Sequence, residues 1–439
     1  LKAMMEVIRH PERATWAGIL ERPRLDHTHL ERQVAEILAD IRLNGDSAVR
    51  KYTQEFDGVS LDAFTVPQQE ISGAGLLIPN DLKSAIQQAA ANIEAFHSLQ
   101  VEGIRILETM PGVTCWRRST AIDKVGLYIP GGSAPLFSTL LMLGIPARLA
   151  GCREVVLCTP PGPGGKVPPA ILYTAGLVGI FRIFCIGGAQ AIGAMAFGTQ
   201  TVPAVYKIFG PGNQYVHCAK RLVNISGVGI DIPAGPTELA ILADDSAIAA
   251  FIAADLLSQA EHGPDSQVML LTCHEPLVQQ VLKELADQLK DLPRGEIARK
   301  ALENSRVILL ENMDEAIDLV NEYAPEHLII SCREEEKLAG RIVNAGSIFL
   351  GNYAPESVGD YASGTNHTLP TGGFARLYSG VSVDSFVKKI TIQKLTWEGL
   401  AKIGPIVETM AAAEGLEGHR RSVSLRLNYM DIPDKVNPV

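Results

Sequence analysis

The sequence predicts an α/β protein built from two consecutive βα series. Three observations carry that prediction. From about residue 120 onward, short apolar runs alternate with helix-length stretches. Glycine-rich turns follow the apolar runs of the first series. At 439 residues the chain is too long for one small core, so two large domains with peripheral segments are expected.

The first 110 residues read as mainly helical: 30–56 and 81–99 repeat apolar positions at helical spacing. In the first series, 125–129, 154–158, 181–186, 206–209 and 228–232 read as strands, with helices near 134–150, 168–177, 190–197 and 214–224. A second series places strands at 239–242, 267–271, 306–310, 328–331 and 347–350, with helices between them, including 247–262 and 276–289. Such alternation implies parallel-rich sheets covered on both faces. Residues 359–373 read as a long ordered loop, 385–413 as a helix, and the end as a polar tail. No fixed-period repeat is visible.

A net charge of −10 argues against a nucleic-acid surface. No run approaches 18 uninterrupted apolar residues, so no membrane span is expected. The first 24 residues lack the apolar core of a signal peptide. Seven scattered cysteines, none in CxxC spacing, fit neither a zinc finger nor a disulfide framework. A reducing cytoplasm is the expected location, or an organelle if a transit peptide has been removed.

Three glycine-rich turns could present backbone N–H groups and helix N-termini to a phosphate: 128–132 (Tyr-Ile-Pro-Gly-Gly), 187–190 (Gly-Gly-Ala-Gln) and 209–213 (Phe-Gly-Pro-Gly-Asn). None is GxGxxG, so the βα domains are Rossmann-like but incomplete. Each turn alone is better explained by a tight βα connection. Three in succession favour a ligand crevice.

The octet 258–265, Ser-Gln-Ala-Glu-His-Gly-Pro-Asp, ends an apolar helical run. Gln259 and His262 are three apart and share a helical face, and Gly263 and Pro264 stop the helix. An amide oxygen and an imidazole there are two neutral ligands in need of charged partners. Asp360, in a loop nearly free of charge, suits a hard oxygen ligand, or else a turn-capping role. His367 is the weaker ligand candidate in that loop. Glu326 and His327 stand together where a strand begins, and reach one site only if Pro325 keeps that start irregular. An imidazole is a natural base near neutral pH. Taken locally, such a pair is more often a piece of polar surface. His419 and Glu414 lie in the polar tail, where a histidine is ordinarily a solvent residue; His10, His27, His29, His97, His217 and His274 read as surface or packing residues.

Taken together these motifs resemble the histidinol dehydrogenase family. Ser-Gln-Ala-Glu-His-Gly, Pro-Glu-His-Leu, Gly-Asp-Tyr-Ala-Ser-Gly-Thr-Asn-His and Ala-Ala-Ala-Glu-Gly-Leu-Glu-Gly-His occur in the family's order and spacing, and the likeness runs from about residue 25 to about 430. The resemblance implies zinc held by Gln259, His262, Asp360 and His419, one ion per subunit. Glu326 and His327 would be the catalytic pair, and Tyr128, Gln190 and Asn213 would touch NAD. Thr237, Glu414 and His327 would contact the substrate together with the zinc ligands. Where the family commonly has Ser, Thr237 keeps the hydroxyl and adds a methyl. The segment 162–169 looks longer than usual.

The domains so implied are an N-terminal helical segment (1–23), a zinc and substrate domain (24–127 with 238–380), an NAD-binding domain (128–237), and a C-terminal tail (381–439) that reaches a partner subunit. The implied assembly is a homodimer with shared active sites, His419 and Glu414 serving the other subunit. The implied reaction oxidises L-histidinol to L-histidine through bound L-histidinal, in two hydride transfers to NAD, closing histidine biosynthesis. His327 would accept protons and Glu326 would activate water onto the aldehyde. A cysteine thiohemiacetal is the rival for the second step, but no cysteine stands in a motif of the site. Rival functions are oxidation of another small primary alcohol, zinc hydrolysis with Glu326 activating metal-bound water, and non-catalytic nucleotide binding.

Overall fold

In a computed structural model of the chain, residues 5–23, 28–131, 135–232 and 235–430 are described. The chain divides into two compact units, 1–100 with 122–386 and 101–121 with 387–439.

The larger unit holds two parallel sheets. The first has five strands, Lys124–Tyr128, Glu154–Thr159, Arg182–Cys185, Lys207–Phe209 and Gly229–Ile230. Their spatial order is third, second, first, fourth, fifth, and all pairs are parallel. Winding therefore reverses between Lys124–Tyr128 and Lys207–Phe209, which opens a crevice beyond their carboxyl ends. Helices Phe137–Ala150, Pro169–Leu177, Gly188–Phe197 and Gln214–Ile225 connect the strands. Helices Thr28–Asn44 and Asp46–Asp57 pack on this layer, as does Asn80–Ser98. Their apolar stripes (Val34, Ile37 and Ile41; Ile86, Ala89 and Ile93) join the cores on the two faces of the first sheet. Residues 28–98, which the sequence reading grouped with the second series, thus complete the first.

The second sheet repeats the same winding. Strands Glu238–Ala243, Gln267–Thr272, Arg306–Leu309, His327–Ser331 and Ser347–Leu350 again lie in the order third, second, first, fourth, fifth, all parallel. Its central strands are buried along their whole length, as a sheet covered on both faces requires. One strand is added at the edge: Glu6–Arg9 pairs with Arg306–Leu309. This corrects the expected N-terminal helix. Only short helical turns, Arg13–Thr15 and Trp16–Ile19, follow the strand. Four residues give no helical period to read, and their pairing partner lies 300 positions away.

The smaller unit holds an antiparallel sheet of Val387–Leu395, Val113–Ala121 and Ile106–Met110, with helices Trp397–Ala413 and Glu417–Met430 packed together. The helix expected over 385–413 therefore begins only at Trp397, where the Thr396 hydroxyl caps the Gly399 N–H. The residues before it, rich in β-branched Val387, Ile390, Thr391 and Ile392, pair as a strand. The expected polar tail is helical, its first turn carrying Glu417 paired with Arg420 and Arg421.

No helix among the described residues is long and apolar enough to cross a membrane.

Candidate active site

A cleft of about 220 Å³ lies in the larger unit, lined from both sheets. The first contributes the turn Gly210, Pro211, Gly212 beyond the carboxyl end of its fourth strand. The second contributes Thr237, Glu326 and His327 from the amino ends of adjacent strands, with His262, Asp360 and His367.

Glu326 and His327 do converge. Helix Met313–Tyr323 ends at Ala324 in the left-handed region (φ 52°), and Pro325 follows. This break brings the Glu326 carboxylate within 3.6 Å of His327 Nδ1. Glu326 Oε2 accepts the Thr237 hydroxyl at 2.6 Å and the Glu238 N–H at 2.9 Å. Burial pushes Glu326 well above the ordinary carboxylate range, and those two donors pull the other way.

His327 Nδ1 lies 3.1 Å from the Glu238 carbonyl, which can only accept. The Gln259 amide nitrogen Nε2 lies at the same 3.1 Å from Nδ1, so Nδ1 is shared between a carbonyl and an amide donor, while the ring Nε2 has no hydrogen-bond partner. Burial, reinforced by the imidazoles of His262 and His367, holds the His327 pKa down to about 3. The ring is neutral at neutral pH. Gln259, on the last turn of helix Ala249–Ala260, donates from Nε2 to Thr237 Oγ1 at 2.6 Å and to the Glu238 carbonyl at 3.3 Å. That leaves its Oε1 free. His262 sits in the turn just past the helix, which stops at Ala260, earlier than expected.

Asp360 lies on a short helix, Glu356–Tyr361, not in a loop. One turn earlier Glu356 is buried and faces the same imidazole. Glu356 Oε1 is 3.7 Å from Nδ1, and Asp360 Oδ1 is 3.7 Å from Nε2. Burial pushes Asp360 up to about 7, and Glu356 well above its usual range. The sequence reading missed Glu356; its signal was the i, i+4 spacing to Asp360 just after Pro355. His367 is tied by Nδ1 to the Asp360 carbonyl at 2.8 Å and by Nε2 to the Thr139 hydroxyl at 3.0 Å, so both its nitrogens are committed.

Three buried electron-pair donors here lack a hydrogen-bond partner: Gln259 Oε1, His327 Nε2 and Glu356 Oε2. Orphaned acceptors beside two carboxylates call for a cation or a substrate N–H. Among the His, Cys, Asp and Glu side chains of the described residues, His327, Glu356 and Asp360 bring ligand atoms within 4.8 Å of one another.

Tyr128, Gln190 and Asn213 stand at the carboxyl edge of the first sheet. The Tyr128 hydroxyl accepts the Gly188 N–H at 3.0 Å. Gln190 donates to Asp57 at 3.2 Å and leaves a buried Oε1 unpaired. Asn213 caps helix Gln214–Ile225, accepting from Tyr215 and Val216. Gly210 has φ 127°, and a Cβ there would stand 2.0 Å from the Tyr128 carbonyl oxygen, so only glycine fits. His217, read from the sequence as surface or packing, lines the cleft with Lys220 and Asp231. No cysteine among the described residues lines it. His419 and Glu414 belong to the smaller unit, and both are exposed.

A family model described as histidinol dehydrogenase matches residues 20–427. The chain belongs to the histidinol dehydrogenase family. It is 56% identical to the histidinol dehydrogenase of Bacteroides thetaiotaomicron over 427 residues, 97% of this chain and 100% of that one. The Bacteroides fragilis relative is 55% identical over 424 residues, 96% of this chain and 99% of that one. The crystal structure of histidinol dehydrogenase from Elizabethkingia anophelis superimposes with a TM-score of 0.96 at 52% identity, covering 98% of this chain and 100% of that one. The family's enzymes are NAD-dependent oxidoreductases that oxidise histidinol to histidine, the final step of histidine biosynthesis. Membership sets aside the hydrolase and the non-catalytic nucleotide-binding readings.

Proposed function

We propose that this chain carries out the four-electron oxidation of L-histidinol through bound L-histidinal, with His327 as proton acceptor and Glu326 as activator of water. The observation that carries this reading is the buried His327 ring beside the Glu326 carboxylate, its Nδ1 engaged by the Glu238 backbone and its Nε2 unpartnered. In the first oxidation Nε2 takes the alcohol proton. In the second, the Glu326 carboxylate removes a proton from water as its oxygen adds to the aldehyde, the proton held on Nε2 passes to the carbonyl oxygen, and the freed Nε2 takes a hydroxyl proton of the hydrate as the second hydride leaves. NAD, when bound, takes a hydride in each oxidation. Tyr128, Gln190 and Asn213 would hold it, and the unpaired Gln190 Oε1 leaves an acceptor free for that contact.

Gln259, His262 and Asp360 would hold a zinc ion, completed by His419 of a second copy of this chain; Thr237 and Glu414 would contact substrate. The free Gln259 Oε1 and the raised Asp360 carboxyl fit a cation. The zinc, when bound, would fix the imidazole and amino nitrogens of the substrate. A dimer with shared sites is supported by the exposed Trp397, Ile406, Met410, Leu416 and Leu425 around the segment that bears Glu414 and His419. Seven free cysteines fit the cytoplasm. No finding favours the organellar alternative. The test is stoichiometry: with zinc, NAD+ and L-histidinol, two NADH should form per histidine. No NADH at all sinks the reading.

A further inference from the structure

The backbone of Glu238 holds both members of the proposed pair: its N–H binds Glu326 and its carbonyl binds His327. Something must hold Glu238. Its side chain is buried, and Arg22 grips it with two hydrogen bonds, Nε to Oε1 at 2.5 Å and Nη2 to Oε2 at 2.9 Å. The Gly372 N–H adds a third at 2.7 Å. The same guanidinium donates from Nη2 to the Tyr323 carbonyl at 2.7 Å and lies over the Tyr323 ring, 4.1 Å from its centroid. Tyr323 ends the helix that precedes Ala324, Pro325, Glu326 and His327. Arg22 therefore binds both segments of the constellation, the strand start that carries Thr237 and Glu238 and the helix end that delivers the pair. It does so from the N-terminal segment, outside the motifs of the candidate site.

We propose that Arg22 is a positioning residue: through Glu238 and Tyr323 it sets the alignment of Glu326 and His327. The proposal rests on the reading of those two as the catalytic pair. Stability alone does not call for this arrangement, since an apolar pair of similar volume usually serves a fold as well as a buried ion pair. The planar fork supplies what an apolar pair lacks, fixed direction at two acceptors together. A lysine can supply the charge but not the fork. A displacement of about 1 Å in an acid–base group costs roughly 10²-fold in rate.

The experiment compares Arg22→Met, Arg22→Lys and His327→Asn in the full-length zinc-loaded enzyme, with rates per bound zinc. Arg22→Met should lower kcat for both histidinol and histidinal by roughly 10²-fold, with KM for NAD unchanged within about twofold. Arg22→Lys should recover part of that loss. A merely structural role would lower yield and melting temperature but leave kcat per loaded site alone. If Arg22→Met does not accumulate folded, Arg22→Lys carries the test, with a kcat expected between those of the unmodified enzyme and His327→Asn. A folded, zinc-loaded Arg22 variant with the unmodified kcat overturns the proposal. If His327→Asn also turns over normally, the reading of the pair has failed instead.

Discussion

The two parallel sheets share one winding order, yet they use opposite edges. The first sheet reaches the cleft from the carboxyl ends of its strands, where Tyr128 and the Gly210–Asn213 turn flank the point of reversal. The second reaches it from the amino ends, where Thr237, Glu238, Glu326 and His327 begin two neighbouring strands. In a parallel βα fold these edges differ electrically. Helices start at the carboxyl edge, so the N-termini of Gly188–Phe197 and Gln214–Ile225 bring partial positive charge there, which suits a diphosphate. Helices end at the amino edge, so the C-termini of Ala249–Ala260 and Met313–Tyr323 present carbonyls and partial negative charge, which suits a cation. One architecture used twice thus offers a partially positive edge and a partially negative edge, and the cleft joins them.

Damage to each edge should therefore fail differently. The largest effect is expected at the amino edge of the second sheet. His327→Asn should lower turnover by about 10²- to 10⁴-fold while zinc content stays near normal. Equal loss of metal and activity would make His327 a ligand in the set with Glu356 and Asp360, and would redraw the site. Next, Glu326→Gln should slow histidinal oxidation about tenfold more than histidinol oxidation, because only the second step consumes water. Equal slowing of both, with each substrate supplied separately, would remove Glu326 from water activation. Replacing any single cysteine by alanine should leave turnover within about twofold, since the cleft-lining residues include none. A variant that stalls at the aldehyde would revive the thiohemiacetal.

Much of this contrast was legible in the sequence, because local chemistry encodes it. The glycine turns mark the carboxyl edge. The octet ending in Gln259 and His262 marks a helix C-terminus, and Pro325 marks the irregular strand start. The missed features depend on distant partners. Glu6–Arg9 is a strand only because Arg306–Leu309 lies beside it. Val387–Leu395 is extended only against Val113–Ala121. Arg22 is 216 residues from Glu238, and no periodicity links them. Glu356 was hidden by reading Asp360 as a loop residue, when a single helical turn sets both against His327.

The carboxyl edge of the first sheet should yield smaller effects, confined to the cofactor. Its turn is held by a buried ion pair, as the other edge is held by Arg22 and Glu238. The Lys220 ammonium donates to the Gly210 carbonyl at 2.9 Å, Asp231 accepts the Gly210 N–H at 2.7 Å, and the two pair with each other. Lys220→Met should raise KM for NAD about tenfold, leaving KM for histidinol and kcat at saturating NAD close to unchanged. A fall in kcat with KM for NAD intact would mean that the turn positions the substrate, and the division of labour between the edges would collapse.

The smallest effect is a stability slope. Burial, with the Lys220 charge nearby, lowers His217 to about 4, against the pull of Asp231 and the Gly212 backbone. Its folded pKa lies below the value near 6.5 of an unfolded chain, so between pH 6.5 and 4 the unfolded state binds more protons. The stabilisation is complete above 6.5 and is lost as pH falls. The other edge carries the opposite sign. With Asp360 pushed up to about 7, the chelated protein should lose stability as pH rises from about 4 towards 7, until a cation restores the carboxylate's advantage. Melting temperatures across pH 4–7.5 should therefore show His217→Asn flattening the acid limb, with or without metal. Chelation should act on the neutral limb instead. If chelation moved the acid limb and His217→Asn the neutral one, the two edges would not carry the opposite charges that their helix ends imply.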